Sequence, residues 1–352
     1  MFIGVRKYVH RLKWIVPSTF LGLLIYGMWA YIHKFCVRQL YERRNMHSTA
    51  IALIVISGIL LLVELVIWVH IIVVGSGKQP RIPPYRLAKP KDITNDISVL
   101  PPILYQSDQQ GYPIWCPECQ SIKQFRTHHS SQQGYCVERF DHFCLWLGVV
   151  IGRRNYPLFV KFISYISCHF IILAVSILCY IPNSYRDGNL VSIIILSFLG
   201  LGLTLTLTSF HYYYVSQNLT SIEMIKLQQE KKKGPRTMFI CYKSYDRDDQ
   251  QDPSPCRYVV EIEYKEYVKI WEKGSVYANW KDIMGRQPLT WILPFYFEQD
   301  NVNLGIIESA KETQDLRVDY YNEEILSAIQ RKIDQGEYVV KFKAWGDQSV
   351  MD

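Results

Sequence analysis

The chain has 352 residues, 49% of them hydrophobic, and a formal net charge of +7 at pH 7. Its apolar residues are clumped into long runs rather than spread along the chain, which indicates a membrane protein and excludes a domain that folds wholly in water. We find no internal repeat, no glycine-rich phosphate loop and no nucleic-acid-binding module, so no nucleic acid is expected among its partners.

Four apolar runs are long enough to cross roughly 30 Å of hydrocarbon, which takes about 20 helical residues. We predict an N-terminal arm at 1–13 and transmembrane helices at 14–32, 49–74, 157–181 and 190–215. The first run follows basic residues as a secretory signal does, but it is too long and no cleavage site follows, so we expect a retained anchor. Lysine and arginine are abundant in the arm, between the second and third helices and in the tail. This pattern predicts that these parts and both termini face the cytosol, although the first connection is basic as well.

The segment at 75–156, between the second and third helices, contains a pattern typical of a zinc site. Cys116 and Cys119 form a CxxC pair, and His129 and Cys136 complete a set of three cysteines and one histidine whose spacing suits tetrahedral zinc. His128 is an alternative to His129 as the fourth ligand. Cysteines in a reducing compartment are more often metal ligands or catalytic groups than disulfides, so we predict a cytosolic Cys-rich zinc domain.

A second pattern follows within the same segment. The sequence Asp141-His142-Phe143-Cys144 places an acid, an imidazole and a thiol within four positions. A thiol reacts as the thiolate, and a neighbouring histidine can take its proton. We therefore expect nucleophilic chemistry on Cys144, the alternative being that Asp141 and His142 only form a turn near a zinc fold.

Together these motifs resemble the DHHC-type protein S-acyltransferases, membrane enzymes that transfer a fatty acyl group from acyl-CoA to protein cysteines. The signature of that family reads DHFC in this chain. The resemblance implies that Cys144 is the nucleophile and carries the S-acyl intermediate, that His142 is the base, and that Asp141 orients the His142 ring. It also implies an α-helical membrane fold with four transmembrane helices, a small cytosolic zinc-binding domain between the second and third, and a small α+β cytosolic tail at 216–352.

The resemblance also predicts the number of metal ions. Family members bind two zinc ions, and the register against them favours His129 over His128 as a ligand. One ligand set is complete here: Cys116, Cys119, His129 and Cys136. The positions of the other set hold Ser130, Gln133, Phe143 and Val150. None of these offers a thiolate or an imidazole, so we predict one structural zinc ion and a second site replaced by packing.

Further site residues follow largely from the resemblance. Positions that contact CoA phosphates in the family hold Lys123, Arg126 and His128, and cations suit phosphate through charge and forked hydrogen bonds. The candidates for contact with CoA or the acyl chain are Trp146, Phe159 and Phe162. Shorter motifs that brace the fold correspond to Asn155, Thr220, Ser221, Glu223 and Asn279.

Two regions outside these motifs also carry predictions. Alternating residues at 237–245 and 257–264 predict a β-hairpin in the tail, and helical spacing at 323–333 predicts an amphipathic helix. Glu64 lies inside the second span, where a carboxyl group is costly and normally faces the helix bundle. We expect it to be a neutral acid that is hydrogen-bonded there, near His70.

The sequence thus favours a protein S-palmitoyltransferase that uses acyl-CoA as its cosubstrate and works by a ping-pong mechanism. Its expected partners are cysteine-containing proteins at the cytosolic face of an endomembrane or the plasma membrane, together with membrane lipids. One alternative is a non-catalytic DHHC-like membrane scaffold. The absent zinc site suggests it, but the presence of all three catalytic residues argues against it, because a scaffold does not need them. The other is a membrane-anchored ubiquitin-ligase-type adaptor, which requires eight zinc ligands where this chain offers four.

Overall fold

The computed structural model describes residues 2–85, 87, 101–180, 187–245, 255–295 and 321–343, with side chains from residue 14 onward. The predicted end of the third helix at residue 181, the turn of the predicted tail hairpin and parts of the predicted tail lie outside the described residues. The chain divides into two compact units. The first comprises Met1–Ser76, Asp141–Tyr213 and Gln287–Phe297, and the second comprises Gly77–Phe140, Tyr214–Arg286 and Glu298–Asp352.

Four long apolar helices dominate the first unit: α1 (Phe2–Trp29), α2 (His47–Val74), α3 (Tyr156–Cys179) and α4 (Gly188–Ser216). Within the described residues, four helices are long and apolar enough to cross a membrane, and the bounds of the last three lie close to those of the predicted spans. The first differs, because a π-helical stretch, Ala30–Arg43, continues it through the predicted connection. Its buried residues Tyr31, Cys36 and Leu40 recur every four to five positions, which suits the i→i+5 hydrogen bonding of a π-helix.

Polar side chains inside the helix bundle pair with one another. Oε1 of Glu64 on α2 lies 2.9 Å from Nδ1 of His169 on α3, and both side chains are buried. The prediction that Glu64 lies near His70 is therefore wrong. Residues six positions apart on α2 lie on different faces of the helix. The hydroxyls of Tyr31 and Ser176 form a second interhelical hydrogen bond of 2.7 Å. Such pairing is expected in hydrocarbon, where an unpaired polar group is costly.

The segment at 75–156, predicted as one domain, is divided between the two units. It contains a strand, β1 (Leu104–Ser107), and three short hairpins: β2 (Trp115–Cys116) with β3 (Ser121–Ile122), β4 (His128–Ser130) with β5 (Tyr135–Val137), and β6 (His142–Cys144) with β7 (Val149–Ile151). The third hairpin belongs to the first unit. Its strand β7 ends only a few residues before Tyr156 begins α3, so the hairpin is continuous with the helix.

A four-stranded antiparallel sheet in the order β1–β8–β9–β10 forms the centre of the second unit. The predicted tail hairpin is present as β8 (Thr237–Tyr245) and β9 (Pro255–Glu263), and β10 (Val340–Lys343) pairs with β9. Strand β1 pairs with β8, with Leu104 opposite Tyr242. Because β1 precedes α3 in the chain, the tail shares its sheet with the middle segment.

Short helices complete the two units. The second unit contains α5 (Ser221–Lys233), α6 (Tyr264–Lys269), α7 (Val276–Met284) and α9 (Glu323–Asp334), whereas α8 (Leu289–Ile292) belongs to the first. The amphipathic α9, predicted from its apolar spacing, buries Leu326, Ile329 and Ile333 in the core cluster that includes the sheet. Each such side chain contributes about 1.5–3 kcal/mol when fully buried, so this face fixes α9 to the sheet.

Candidate active site and metal centre

The β6–β7 hairpin carries the predicted catalytic residues. Side chains alternate between the two faces of a strand, so His142 and Cys144 share one face and Phe143 lies on the other. Gly148 closes the hairpin in the left-handed conformation, at φ +70°, and its N–H donates to the carbonyl of Cys144 at 2.9 Å. A residue with a Cβ would be strained there. The thiol and the imidazole are thereby held side by side on a short hydrogen-bonded element.

Asp141 fixes the ring of His142. Its Oδ2 lies 2.5 Å from Nδ1 of His142, and Asp141 is only 2% exposed. Burial by itself lowers the pKa of His142, but the hydrogen bonds and negative charges of Asp141 and Cys144 outweigh it and raise the pKa to about 10. With Nδ1 bound to Asp141, the other ring nitrogen is left for the thiol, and an imidazole with a raised pKa retains a proton that it takes from that thiol.

His211 on α4, which no sequence motif marks, completes this cluster. It is buried, and one of its ring nitrogens lies within 4.8 Å of a ring nitrogen of His142 and of a carboxylate oxygen of Asp141. The hydroxyl of Tyr156 lies 3.1 Å from Nδ1 of His211. The rings of His142 and His211 both pack against the buried ring of Phe159, at centroid distances of 5.2 and 4.9 Å. The available signal was an ionisable residue within an apolar span, which is a functional-site hypothesis by default.

The other predicted aromatic residues belong to a series of ring contacts in the same unit. Trp146, which is 56% exposed, meets Phe20 of α1 at 6.0 Å. Phe20 meets Trp68 of α2 at 5.8 Å, and Trp68 meets the buried Phe162 of α3 at 6.4 Å. The series therefore runs from the catalytic hairpin along three of the long helices.

Asn155 ties the catalytic hairpin to the helices. Its side-chain oxygen accepts the N–H of Gly152 at 2.9 Å, and its amide donates to the carbonyls of Val150 at 2.9 Å and Ile71 at 3.4 Å. The side chain is fully buried, and a buried amide with these partners restricts motion around it. Asn155 thus joins β7 to the end of α2 at the start of α3.

The four predicted zinc ligands come together in the second unit. The set comprises Cys116, Cys119, His129 and Cys136, whose ligand atoms all lie within 4.8 Å of one another. Nδ1 of His129 is 3.6 Å from Sγ of Cys116 and 3.3 Å from Sγ of Cys119. In tetrahedral zinc, with Zn–S of about 2.3 Å and Zn–N of about 2.0 Å, these atoms lie roughly 3.5 Å apart, so the set fits the ion. His128 is not in the cluster, because adjacent strand residues point to opposite faces, and its ring packs against Phe140.

Comparison with known proteins covers almost the whole chain. A family model described as DHHC palmitoyltransferase matches residues 109–228, which include both the metal cluster and the catalytic hairpin. Palmitoyltransferase PFA5 of Saccharomyces cerevisiae is 39% identical to this chain, over 97% of each. Palmitoyltransferase PFA5 of Candida glabrata is 38% identical, over 95% of this chain and 94% of its own length. The chain belongs to the DHHC palmitoyltransferase family. It is a protein S-palmitoyltransferase, and the resemblance inferred from the DHFC motif is confirmed.

This DHHC palmitoyltransferase has Phe143 at the second histidine of the family signature. Phe143 lies directly opposite Val150 in the β6–β7 hairpin, so two of the four positions predicted to have lost a zinc ligand form one apolar cross-strand pair. Of the other two, Ser130 ends β4 and Gln133 lies in the turn that follows, and the Ser130 carbonyl accepts the N–H of Gln133 at 3.2 Å. Among the described residues, the potential metal-binding groups of three or more side chains are the Cys3His cluster and the catalytic group that includes His211.

The three residues predicted to contact CoA phosphates differ in their surroundings. Arg126 forms a bidentate ion pair with Glu223, with Nε–Oε1 at 2.8 Å and Nη2–Oε2 at 2.6 Å, and both side chains are buried. Burial and the charge of Lys226 lower the pKa of His128 to about 4, so at pH 7 its ring brings no charge to a phosphate. Lys123 is half-buried. The geometry therefore favours Lys123 as a phosphate contact and a bracing role for Arg126.

Arg126 belongs to a polar network that joins the segment carrying the four predicted zinc ligands to the residues after α4. Oδ1 of Asn218 accepts from Arg126 at 3.1 Å and from Arg139 at 2.8 Å, and the Asn218 amide donates to Asp282 at 3.0 Å. Arg126, Arg139 and Asn218 have φ values of 59°, 43° and 51°, which are strained for residues with side chains. Such strain costs about 1–3 kcal/mol per residue and persists only where the surrounding structure enforces it. Nothing in the sequence marked Arg139 or Asn218 as part of a brace, because their partners are distant in the chain.

The predicted motif residues after α4 lie in the same region of the second unit. Thr220 and Glu223 form a capping box at the start of α5: Oγ1 of Thr220 accepts the N–H of Glu223 at 3.3 Å, and Oε2 of Glu223 accepts the N–H of Thr220 at 2.8 Å. Ser221 is the first residue of α5. Asn279 on α7 is buried and donates to the carbonyl of Ser216 at 2.8 Å, which ties α7 to the end of α4.

Proposed function

We propose that the chain transfers a palmitoyl group from acyl-CoA to protein cysteines in two half-reactions, through an S-acyl intermediate on Cys144. The observation that carries this proposal is the arrangement on β6, where His142 and Cys144 share one face while Asp141 binds Nδ1 of His142. This is the acid–base–nucleophile order in which the acid fixes the tautomer of the base and the base activates the nucleophile.

In the first half-reaction, His142 takes the proton of Cys144 and the thiolate adds to the thioester carbonyl of acyl-CoA. The bond from that carbonyl carbon to the CoA sulfur breaks, and the departing CoA thiolate receives the proton from His142. In the second half-reaction, a substrate cysteine loses its proton to His142 and attacks the acyl carbon on Cys144. Cys144 leaves as the thiolate and regains a proton from His142, while Asp141 stabilises the imidazolium in both halves.

The surroundings of Cys144 suit a reaction at the membrane surface. Leu145 and Trp146 follow the nucleophile directly and are exposed, and tryptophan is favoured where an apolar surface meets water. We propose that Phe159 and Phe162 contact the acyl chain and that Lys123 contacts the CoA phosphates. The hairpin, the zinc segment and both termini face the cytosol in this proposal, where cysteine-containing substrate proteins meet an endomembrane or the plasma membrane.

We further propose that the Cys3His cluster holds one structural zinc ion. Four protein ligands close the coordination sphere of such an ion, so it contributes folding free energy and no open position for catalysis. Its role here is to hold the β2–β3 turn against the β4–β5 hairpin through ligands from both.

The direct test is incubation of the purified protein with labelled palmitoyl-CoA and no acceptor. We expect a burst of free CoA equal to the amount of enzyme and a label on the protein that hydroxylamine removes. Cys144→Ser abolishes the label, His142→Ala slows its formation by about two orders of magnitude, and the exposed Cys168→Ser serves as the matched control. CoA release that required an acceptor would indicate direct transfer, and unlabelled wild-type protein would favour the non-catalytic scaffold.

A further inference from the structure

His211 lies against the Asp141–His142 pair and takes no part in the acyl transfer described above. Its ring centroid is 5.9 Å from that of His142, and its side chain is 3% exposed. It stands in the long apolar helix α4, where a leucine or phenylalanine would fill the space without a polar ring. An imidazole at such a position is costly unless it is hydrogen-bonded, so its partners indicate what it does.

The partners of His211 lie on α3, the helix that follows the catalytic hairpin. The hydroxyl of Tyr156, the first residue of α3, is 3.1 Å from Nδ1 of His211. One turn along, Phe159 meets the His211 ring edge to face and meets the His142 ring in the same way. The two histidines are therefore held by neighbouring residues of one helix turn.

The charges that the reaction requires on Asp141 and His142 indicate that His211 acts as a neutral ring. Asp141 is buried and must stay ionised to stabilise a protonated His142, and a buried carboxylate is kept ionised by polar groups around it. A second imidazolium so close to His142 would oppose protonation of His142. The Tyr156 hydroxyl can donate to Nδ1 of a neutral His211, whose own proton then lies on Nε2 and makes it a polar ring beside the carboxylate.

We propose that His211 is a positioning residue that acts through Asp141, keeping the carboxylate ionised and directed at Nδ1 of His142. This inference rests on the proposed acyl transfer through Cys144. Loss of His211 then lowers the rate of both half-reactions, because both use the same imidazole. The expected loss is about tenfold to a hundredfold, the usual range for a group that orients a catalytic or ligating side chain.

The experiment measures the rate of CoA release and the KM for palmitoyl-CoA in full-length protein. We expect His211→Phe to lower kcat by that factor and to change KM little, and His211→Gln, which restores a polar side chain, to recover most of the rate. The matched control is Tyr212→Phe, which removes a different α3–α4 hydrogen bond, the 2.8 Å contact with Ser164, and keeps the wild-type rate. In an Asp141→Asn background, His211→Phe causes no further loss, because the two residues act as one unit.

Independent, multiplicative losses for His211→Phe and Asp141→Asn, or an equal loss in Tyr212→Phe, would overturn the proposal. If His211→Phe does not fold, Tyr156→Phe provides the same test. It removes the hydroxyl at Nδ1 with little change in volume and is expected to lose rate only while Asp141 is intact. Wild-type protein that never acquires an acyl group on Cys144 refutes the acyl-transfer proposal itself, whereas acylated wild type with multiplicative losses refutes only the role of His211.

Discussion

The β4–β5 and β6–β7 hairpins have the same size and are held in different ways. Each consists of two antiparallel strands of three residues. The cross-strand pair is His129 opposite Cys136 in the first hairpin and Phe143 opposite Val150 in the second. A hairpin this short is at best marginally stable on its own. The first offers metal ligands to meet this need, and the second offers apolar side chains and the amide of Asn155.

The difference shows that keeping the catalytic residues and binding a metal ion are separate properties of a hairpin. The catalytic hairpin keeps Asp141, His142 and Cys144 although no cysteine or histidine stands at the Phe143–Val150 pair. We infer that the hairpin needs a fixed shape for its chemistry and that packing can supply this shape in place of a metal ion. Packing cannot replace a metal ion in the same way in the β4–β5 hairpin, because its cross-strand pair, His129 and Cys136, is polar and reactive.

The largest effect is expected where the metal holds the fold. His129→Ala removes one of four zinc ligands, so we expect loss of zinc, unfolding of the second unit at lower temperature and indirect loss of acylation. His128→Ala is the matched control, since its ring lies outside the cluster, and it should retain the ion. Zinc content and thermal unfolding in detergent measure both variants. Zinc retained in His129→Ala together with zinc lost in His128→Ala would reverse the ligand assignment.

The next largest effect concerns the brace of the zinc segment. Arg126→Ala leaves Glu223 buried without its cation, so we expect a loss of about 3–5 kcal/mol of stability with zinc retained. Arg126→Lys should recover only part of this loss, because an ammonium does not reproduce the bidentate geometry. Unfolding midpoints and the KM for palmitoyl-CoA are measured together, with Lys123→Ala as the comparison. A raised KM and an unchanged midpoint in Arg126→Ala would show instead that Arg126 contacts CoA.

A smaller effect is expected from the apolar pair of the catalytic hairpin. Val150→Ala removes buried methyl groups and should lower stability by about 2 kcal/mol without changing the zinc content. Phe143→Leu keeps an apolar side chain opposite Val150 and should be milder, whereas Phe143→His should lower stability without recruiting a metal. Unfolding midpoints rank the three variants. A second zinc ion in Phe143→His would contradict replacement of the metal by packing.

The smallest effect concerns the dependence of stability on pH. The folded pKa of His142 is about 10, above its ordinary 6.5, so the folded chain holds this proton more tightly than the unfolded chain. The resulting stabilisation is fully present below about pH 6.5 and is lost as the pH rises toward 10. Among the described residues, Asp141, Cys144 and His211 are ionisable groups close to the ring. The unfolding midpoint of the wild type should therefore fall more steeply over this window than that of His142→Gln, and parallel curves would argue against the raised pKa.

The features predicted from the sequence are those with local signals. The apolar runs marked the long helices, and the spacing from Cys116 to Cys136 marked the residues that meet in the metal cluster. The position of His211 beside Asp141 and His142, and the pairing of Glu64 with His169, could not be predicted, because they depend on which faces of separate helices meet. The π-helical continuation and the addition of β1 to the tail sheet depend on tertiary packing in the same way.

Metal analysis of purified, tag-free protein tests the contrast between the two hairpins most directly. The account predicts one zinc ion per chain in the wild type, one in Phe143→His and none in His129→Ala. A wild-type ratio near two, or zinc that persists in His129→Ala, would contradict the claim that a metal holds one hairpin and packing holds the other.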